Sequence, residues 1–449
     1  MTAVGPVEAS TPVEDEGWAR LRGHSTIRCA QPPGRRFGWR LGLIAVGALA
    51  LRLATLVTTA RRNPTGGDPV YYHVQANLLA AGHGFAEPFR WLRDGRVVAS
   101  AVHPPLWSLV LASSSLFGGT SLLAHKVVAC LVGTATVVVV GWAAREIGGA
   151  RVGLIAAGLA ALYPELWVID GTLMPEGLAA LTGALVVLTT YRFWHRPAAG
   201  RAAVLGAAIG VAALARGEDL LLLAIVAVPA VVVVARRSAT PAATTAVWTI
   251  ALLASAAAVV APWSIRNAVT FSKPVPISVN SEEVLANANC DQTWHGSLLG
   301  FWAIDCYRGN PSGDESQRAA YWRTEGLDYV RAHLSRLPVV VAARVGRVWD
   351  LYRPWENARL STVEGRNLWV ARAGLICYYL LLPLAAFGAL TLRRRGVPLL
   401  PLSGMIILVT VTAIYAYGAT RFRIPSEIAL VVLAAVALDA LRPPRSVAA

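Results

Sequence analysis

The chain contains ten separate apolar runs, most of them close to the roughly 20 residues that a helix needs to cross the hydrocarbon core of a bilayer. Backbone N–H and C=O groups find no water inside that core, so such runs are restricted to helices that satisfy their own hydrogen bonds. They lie at about 41–60, 122–144, 151–165, 175–194, 201–215, 218–235, 244–262, 369–391, 397–418 and 425–441. This repetition predicts an all-α polytopic membrane protein. Composition points the same way: 55% of the residues are hydrophobic and only 15% charged, where soluble domains carry about 25% charged residues.

A net charge of +15 raises the question of nucleic acid, but of the 41 basic residues all except Lys126 and Lys273 are arginines, many in short clusters between the apolar runs. Topogenic charge explains that placement better than a phosphate-binding face, so no nucleic-acid partner is expected. The clusters also fix the topology. The segment HPPLWSLVLASSSLFG, residues 103–118, is apolar but barely long enough to span. If it lies on the outer surface, Arg145/Arg151, Arg192/Arg196/Arg201, Arg236/Arg237, Arg393–Arg395 and Arg442/Arg445 all share one side with the basic N-terminus. If it spans, every later cluster is inverted. The positive-inside pattern therefore favours a juxtamembrane helix at 103–118, ten spans, and both termini on the cytoplasmic side of the plasma membrane.

The resulting division is a disordered cytoplasmic tail at 1–40 without a visible cleavable signal, a transmembrane module at 41–262, an extracytoplasmic domain at 263–367, C-terminal spans within 368–441, and a short tail at 442–449. The outer domain reads as small and mostly helical, from pieces such as YWRTEGLDYVRAHLSRLP. Polar sequence collects on the outer side, at 61–121, 163–176, 215–219, 263–367 and 419–426, which places the chemistry there. Cys290 and Cys306 also face outward, sixteen positions apart. A disulfide between them, worth roughly 3 kcal/mol by loop closure, is the favoured reading over two free buried thiols. No CxxC spacing suggests zinc.

The stretch GGDPVYYH follows the first span and places Asp68 ahead of Tyr71 and Tyr72. With HPPL (His103–Leu106), LMPE (Leu173–Glu176), APWSIRN (Ala261–Asn267), VPIS (Val275–Ser278) and RFRIP (Arg421–Pro425), it resembles the GT-C glycosyltransferases that use polyprenyl-phosphate sugars. The resemblance is to the protein-mannosyltransferase and aminoarabinose-transferase type, and it extends over most of the chain from residue 41. It rests on the order and sidedness of these pieces. It implies a GT-C-like bundle and transfer at the outer membrane face from a lipid-linked sugar. It further implies Asp68 as catalytic base, Glu176 as a second carboxylate, and His103 as a donor to the lipid phosphate.

Residue chemistry suits these roles independently. Glycosyl transfer to a hydroxyl needs a carboxylate to accept the proton and cationic or hydrogen-bonding groups to receive the departing phosphate. Asp68 can equally be a turn residue beside Gly66, Gly67 and Pro69. Glu176 can equally be a helix-start acid, and Asp170 is its local rival. Planar guanidinium forks make Arg216, Arg266, Arg421 and Arg423 candidate phosphate clamps, against simple interfacial anchoring. Tyr71 and Tyr72 join them as candidate substrate contacts. His73 and His83 carry less weight. Arg52, inside the first span, is expected to pair with an acid or with backbone. Trp294, Trp302 and Trp322 are potential sugar platforms but more ordinarily core residues. Asp68 and Glu176 can bind Mg²⁺ or Mn²⁺, although no complete ligand set is legible.

The expected partners are therefore membrane lipids, a polyprenyl-phosphate sugar donor and a protein, glycan or lipid acceptor. A transporter or flippase is the alternative; it would show repeated halves with interrupted helices, and no such symmetry is present. A receptor or scaffold would not require Asp68. Gly217 in ARGED stands where the resemblance leads one to expect proline.

Overall fold

The computed structural model describes residues 35–58, 66–309 and 311–442; residues 1–34, with Cys29, and residues 59–65, 310 and 443–449 lie outside them. The described residues form helices and connecting loops without a named strand, the one extended pairing being a single bridge between Ala86 and Ala99. Six of the helices are long and apolar enough to cross a membrane: Arg36–Thr58, Leu122–Leu162, Glu176–His195, Gly217–Arg237, Ala242–Thr270 and Leu368–Arg394. Shorter apolar helices at Ala199–Ala215, Leu400–Tyr415 and Ile424–Ala440 complete the bundle. Among the described residues, each apolar run found in the sequence is mostly helical. The first helix starts at Arg35, so residues 35–40 belong to it rather than to the expected tail.

The run Leu122–Leu162 is two helices rather than one. Gly149 has φ 86° and ψ −179°, a conformation open only to glycine, and it reverses the chain. The halves then pack so closely that a Cβ at Gly153 would lie 2.6 Å from the carbonyl oxygen of Gly141. Close backbone approach through small residues is how helices associate where no hydrophobic effect drives them together. It recurs at Gly388, where a Cβ would meet the Leu433 carbonyl oxygen at 1.9 Å. That contact seats Ile424–Ala440 as the buried central helix of the bundle.

Buried ion pairs lock the helices in register. Arg52 in the first span meets Asp170 at 2.8 Å, both side chains almost wholly buried, with further contacts to the carbonyls of Ala48 and Leu166. Arg366 meets Glu165 at 3.0 Å. Arg423, also buried, binds Asp350 at 2.6 Å and Glu427, with its guanidinium over the Tyr378 ring. At one end of the bundle, Glu146 lies beside Arg192 and His195, and Arg151 pairs with Asp439. Glu176, Arg216 and Arg421 occupy the opposite ends of the same helices. The bundle thus has a basic rim at one end and a carboxylate–arginine cluster at the other.

Above that cluster lie the short helix Leu106–Ser115 and the helices of the outer segment, among them Asn280–Asn287, Glu315–Ala332 and Leu337–Val348. Ten helical residues span about 15 Å, half the hydrocarbon thickness, so Leu106–Ser115 does not cross. Cys290 and Cys306 are joined as a disulfide. The span ending this module runs to Thr270, two turns beyond the sequence boundary at 262.

Removing one member of a buried pair strands the other, at a cost of about 3 kcal/mol or more. Arg52→Leu should therefore lower the thermal stability of the detergent-solubilised protein markedly, and Arg52→Leu/Asp170→Leu should recover most of the loss. Thermal melts of the three proteins check this.

Candidate active site

Asp68 is the first residue of the helix Asp68–Ala80. Gly67, at φ 69°, turns the chain into it, its carbonyl accepting from Val70 and Tyr71, while Pro69 at the second position supplies a pre-set φ. One helical turn later Tyr72 shares the face of Asp68. On the other side of that face, His103 is joined through Pro104 and Pro105 to Leu106–Ser115, with its ring against Tyr71 and Tyr72 and its Nε2 3.5 Å from an Asp68 oxygen. Trp107 Nε1 donates to the Leu173 carbonyl at 2.9 Å and ties this short helix to the LMPE turn. Leu173 there holds φ 56°, a strained value for a branched residue, and delivers Glu176 to the first turn of its helix.

Arg216 and Arg421 complete the cluster. Glu176, only 2% exposed, accepts from Arg216 Nη1 at 3.0 Å, and Arg216 also grips Glu218. Arg421 reaches Asp68 with Nη1 at 3.3 Å, Tyr417 with Nη2 at 2.6 Å, and Glu364 with Nε at 3.1 Å; Glu176 lies 3.8 Å from that Nε. Phe422 lies between the two guanidiniums, 4.8 Å from Arg216 and 5.4 Å from Arg421. These groups form the polar end of a cavity of about 590 Å³. The rest of its lining includes the apolar side chains of Leu220, Leu221, Val284, Val411 and Ala416. The helix entering at Gly217–Leu221 passes through a π turn, Leu223–Ala227, just before Pro229, whose missing N–H breaks the regular ladder.

Of the residues singled out in the sequence, Asp68, Tyr72, His103, Glu176, Arg216 and Arg421 converge on this cavity. Tyr71, Arg266 and Arg423, expected as substrate contacts, do not line it. Tyr71 is turned into the protein, where its hydroxyl meets Ser100 Oγ at 2.7 Å and Gln75 Nε2 at 2.9 Å. Arg266 binds the carbonyls of Ser100 and Phe85 and sits among the rings of Phe85, Trp263 and Phe271, pinning the outer loop. Arg423 is committed to Asp350 and Glu427. Trp294 is buried core, and neither Trp302 nor Trp322 lines the cavity. Asp170 is occupied by Arg52, and His73 by His125 at 3.0 Å. Sequence reasoning passed over Glu218 and Glu364. Glu218 stood in ARGED beside a chosen arginine; Glu364, in STVEGRN, carried no signal at all.

A divalent ion held by Asp68 and Glu176 does not fit this arrangement. The Arg421 guanidinium bridges the two carboxylates, and among the described residues no three His, Cys, Asp or Glu side chains are grouped to hold a metal. The chemistry available is that of a carboxylate base beside two arginine forks and an imidazole.

The comparisons with known proteins accord with this geometry. Residues 102–265 match the family model described as dolichyl-phosphate-mannose-protein mannosyltransferase. The archaeal oligosaccharyltransferase AglB from Archaeoglobus fulgidus, solved with an inhibitory peptide and a dolichol phosphate, superposes with a TM-score of 0.51 at 15% identity, over 90% of this chain and 50% of its own. ArnT from Cupriavidus metallidurans, solved bound to undecaprenyl phosphate, superposes with a TM-score of 0.50 at 18% identity, over 90% of this chain and 61% of its own. The chain carries the GT-C fold. It spans only about half to three fifths of the length of these GT-C structures. No curated protein sequence matches it.

Partial burial by itself would raise the Asp68 pKa, but His103 and then Arg421 outweigh it and hold the carboxyl well below the usual range. A depressed folded value means that the ionised pair stabilises the fold above the unfolded carboxyl pKa and that this is lost as pH falls through the folded value. The melting-temperature difference between wild type and Asp68→Asn should therefore persist as the pH is lowered to about 4 and shrink below it. Thermal melts across that range check it.

Proposed function

We propose that the chain is an integral-membrane glycosyltransferase that moves a sugar from a polyprenyl-phosphate donor to an acceptor hydroxyl at the outer face of the plasma membrane, its termini being cytoplasmic. The observation that carries this reading is the amphipathic cavity, which joins an ionised carboxylate and two arginine forks to an apolar lining. An isoprenoid phosphate has that same division between an apolar chain and an anionic head. The dolichol phosphate and undecaprenyl phosphate bound in the AglB and ArnT structures support the assignment. So does the basic rim at the opposite end of the bundle, where positive-inside charge belongs.

In the reaction, the acceptor oxygen attacks the anomeric carbon while the bond from that carbon to the phosphate oxygen breaks, and the electron pair leaves on the phosphate. Single displacement inverts the anomeric centre. Asp68 accepts the hydroxyl proton. Arg216, Arg421 and His103 stabilise the charge that develops on the phosphate. Glu176 holds both arginines in position through contacts of 3.0 and 3.8 Å.

The Asp68–Arg421 contact gives the order of events a physical basis. While paired, Asp68 is a weak base, because its pKa lies far below that of any hydroxyl. A donor phosphate draws Arg421 away from it, which raises its basicity when the sugar is in place. Donor binding thus prepares the base.

In a transfer assay with the purified protein and several polyprenyl-phosphate sugars, Asp68→Asn should lose about 10²- to 10⁴-fold in rate while still binding donor. Arg421→Ala should weaken donor binding as well. Normal transfer by Asp68→Asn would remove the base assignment. No transfer by wild type with any donor, together with lipid movement across vesicles, would favour a flippase.

A further inference from the structure

A second cavity, of about 680 Å³, lies behind the wall of the first and is lined by Glu87, Phe89, Arg90, Glu283, Glu315 and Arg318, among others. The wall is one residue thick. Val102 lines the second cavity while His103 lines the first, and Glu283 lines the second while Val284 lines the first. The two segments are clasped by backbone bonds from Val279 to the Ala101 carbonyl and from Asn280 to the Val102 carbonyl. A group seated in the second cavity therefore rests on the strip of chain that ends at His103, beside Asp68.

The polar lining is incompletely paired. Glu315 is only 3% exposed; its Oε2 accepts from the Ala101 N–H at 2.7 Å, but its buried Oε1 has no hydrogen-bond partner. An orphaned buried carboxylate oxygen costs free energy unless something donates to it. Arg318 gives one N–H to the Gly313 carbonyl at 2.8 Å. Among the described residues, neither Arg90 nor Arg318 is in an ion pair with Glu283 or Glu315, although all four line one space. Glu87 is spent as the cap of Pro88–Asp94, accepting from Phe89 and Arg90 N–H. Phe89 presents an exposed ring.

The charges also balance. Glu87, Glu283 and Glu315 oppose Arg90, Arg93 and Arg318, so the cavity favours neither an anion nor a cation. Burial, reinforced by Glu315, pushes the Glu283 carboxyl up to about 7, and burial raises Glu315 too. A neutral ligand rich in groups that each donate and accept matches this lining, and vicinal hydroxyls are such groups. The apolar C–H face of a pyranose or furanose ring suits the Phe89 ring.

We propose that this second cavity seats the acceptor, and that the acceptor is a neutral oligosaccharide lying against the strip of chain that ends at His103. This rests on the glycosyltransferase reading and narrows its acceptor to a glycan. Glu315 and Arg90 bind the hydroxyls, and Phe89 stacks on a ring.

The test uses the full-length detergent-purified protein, with mannotriose, galactotriose and arabinotriose as glycan probes, a Ser/Thr-rich octapeptide as the protein-like probe, and undecaprenyl phosphate as the donor-site probe. Saturation-transfer NMR should show at least one trisaccharide bound by wild type. Glu315→Gln and Arg90→Ala should each weaken that binding about tenfold and leave undecaprenyl phosphate binding unchanged. If a variant also loses undecaprenyl phosphate, its fold has suffered, and Phe89→Ala, at an exposed position, then carries the same tenfold expectation. Equal trisaccharide binding by wild type and all folded variants, no trisaccharide bound, or binding of the octapeptide alone would overturn the inference while leaving the transferase reading intact. Absent undecaprenyl phosphate binding by wild type, with trisaccharide binding behaving as expected, would instead sink the transferase reading and keep the glycan site.

Discussion

The Arg421 guanidinium is the point at which four distant parts of the chain meet. Asp68 comes from the helix after the first span, Glu176 from the start of a central span, Glu364 from the end of the outer segment, and Arg421 itself from the turn before the last helix. None of these carboxylates is stable in a low-dielectric setting without a cation, and the cation is equally costly without them. Their mutual dependence sets the outer ends of the helices relative to one another. It also leaves one fork poised between a carboxylate and the cavity.

The bundle holds that cluster still by means unrelated to its chemistry. Arg52–Asp170, Arg366–Glu165 and Arg423–Asp350 are all buried, and each joins segments far apart in sequence. Such pairs contribute little net stability over apolar packing, but mismatching them is expensive, so they specify a single arrangement. The close glycine contacts at Gly141/Gly153 and Gly388 act in the same direction by allowing only one depth of helix approach.

The arginines show most clearly how far residue patterns reach. In RFRIP, the two arginines are separated by a single residue, yet Arg421 enters the cavity and Arg423 is sealed into the protein beneath Tyr378. Residue type made both candidate clamps, and which one reaches the cavity depends on where Asp350 and Glu427 arrive. Arg266 was a reasonable clamp by position and type; its actual role, on the carbonyls of Phe85 and Ser100, follows from a loop that folds back from some 180 residues earlier in the chain. Glu364 was invisible because an isolated glutamate in a polar loop has no local signature.

The sequence by itself determined the helical character, the apolar runs, the surface position of 103–118, the Cys290–Cys306 pairing and the nomination of Asp68, His103, Glu176, Arg216 and Arg421. These are legible because hydrophobic length, charge sidedness and local turn chemistry act over a few residues at a time. Tertiary structure alone decided the choice among arginines, the entry of Glu218 and Glu364, and the presence of two cavities back to back. Each of these depends on which charge meets which across tens or hundreds of residues. Coulomb energy in a poorly screened interior is governed by separation in space, which spacing along the chain does not encode.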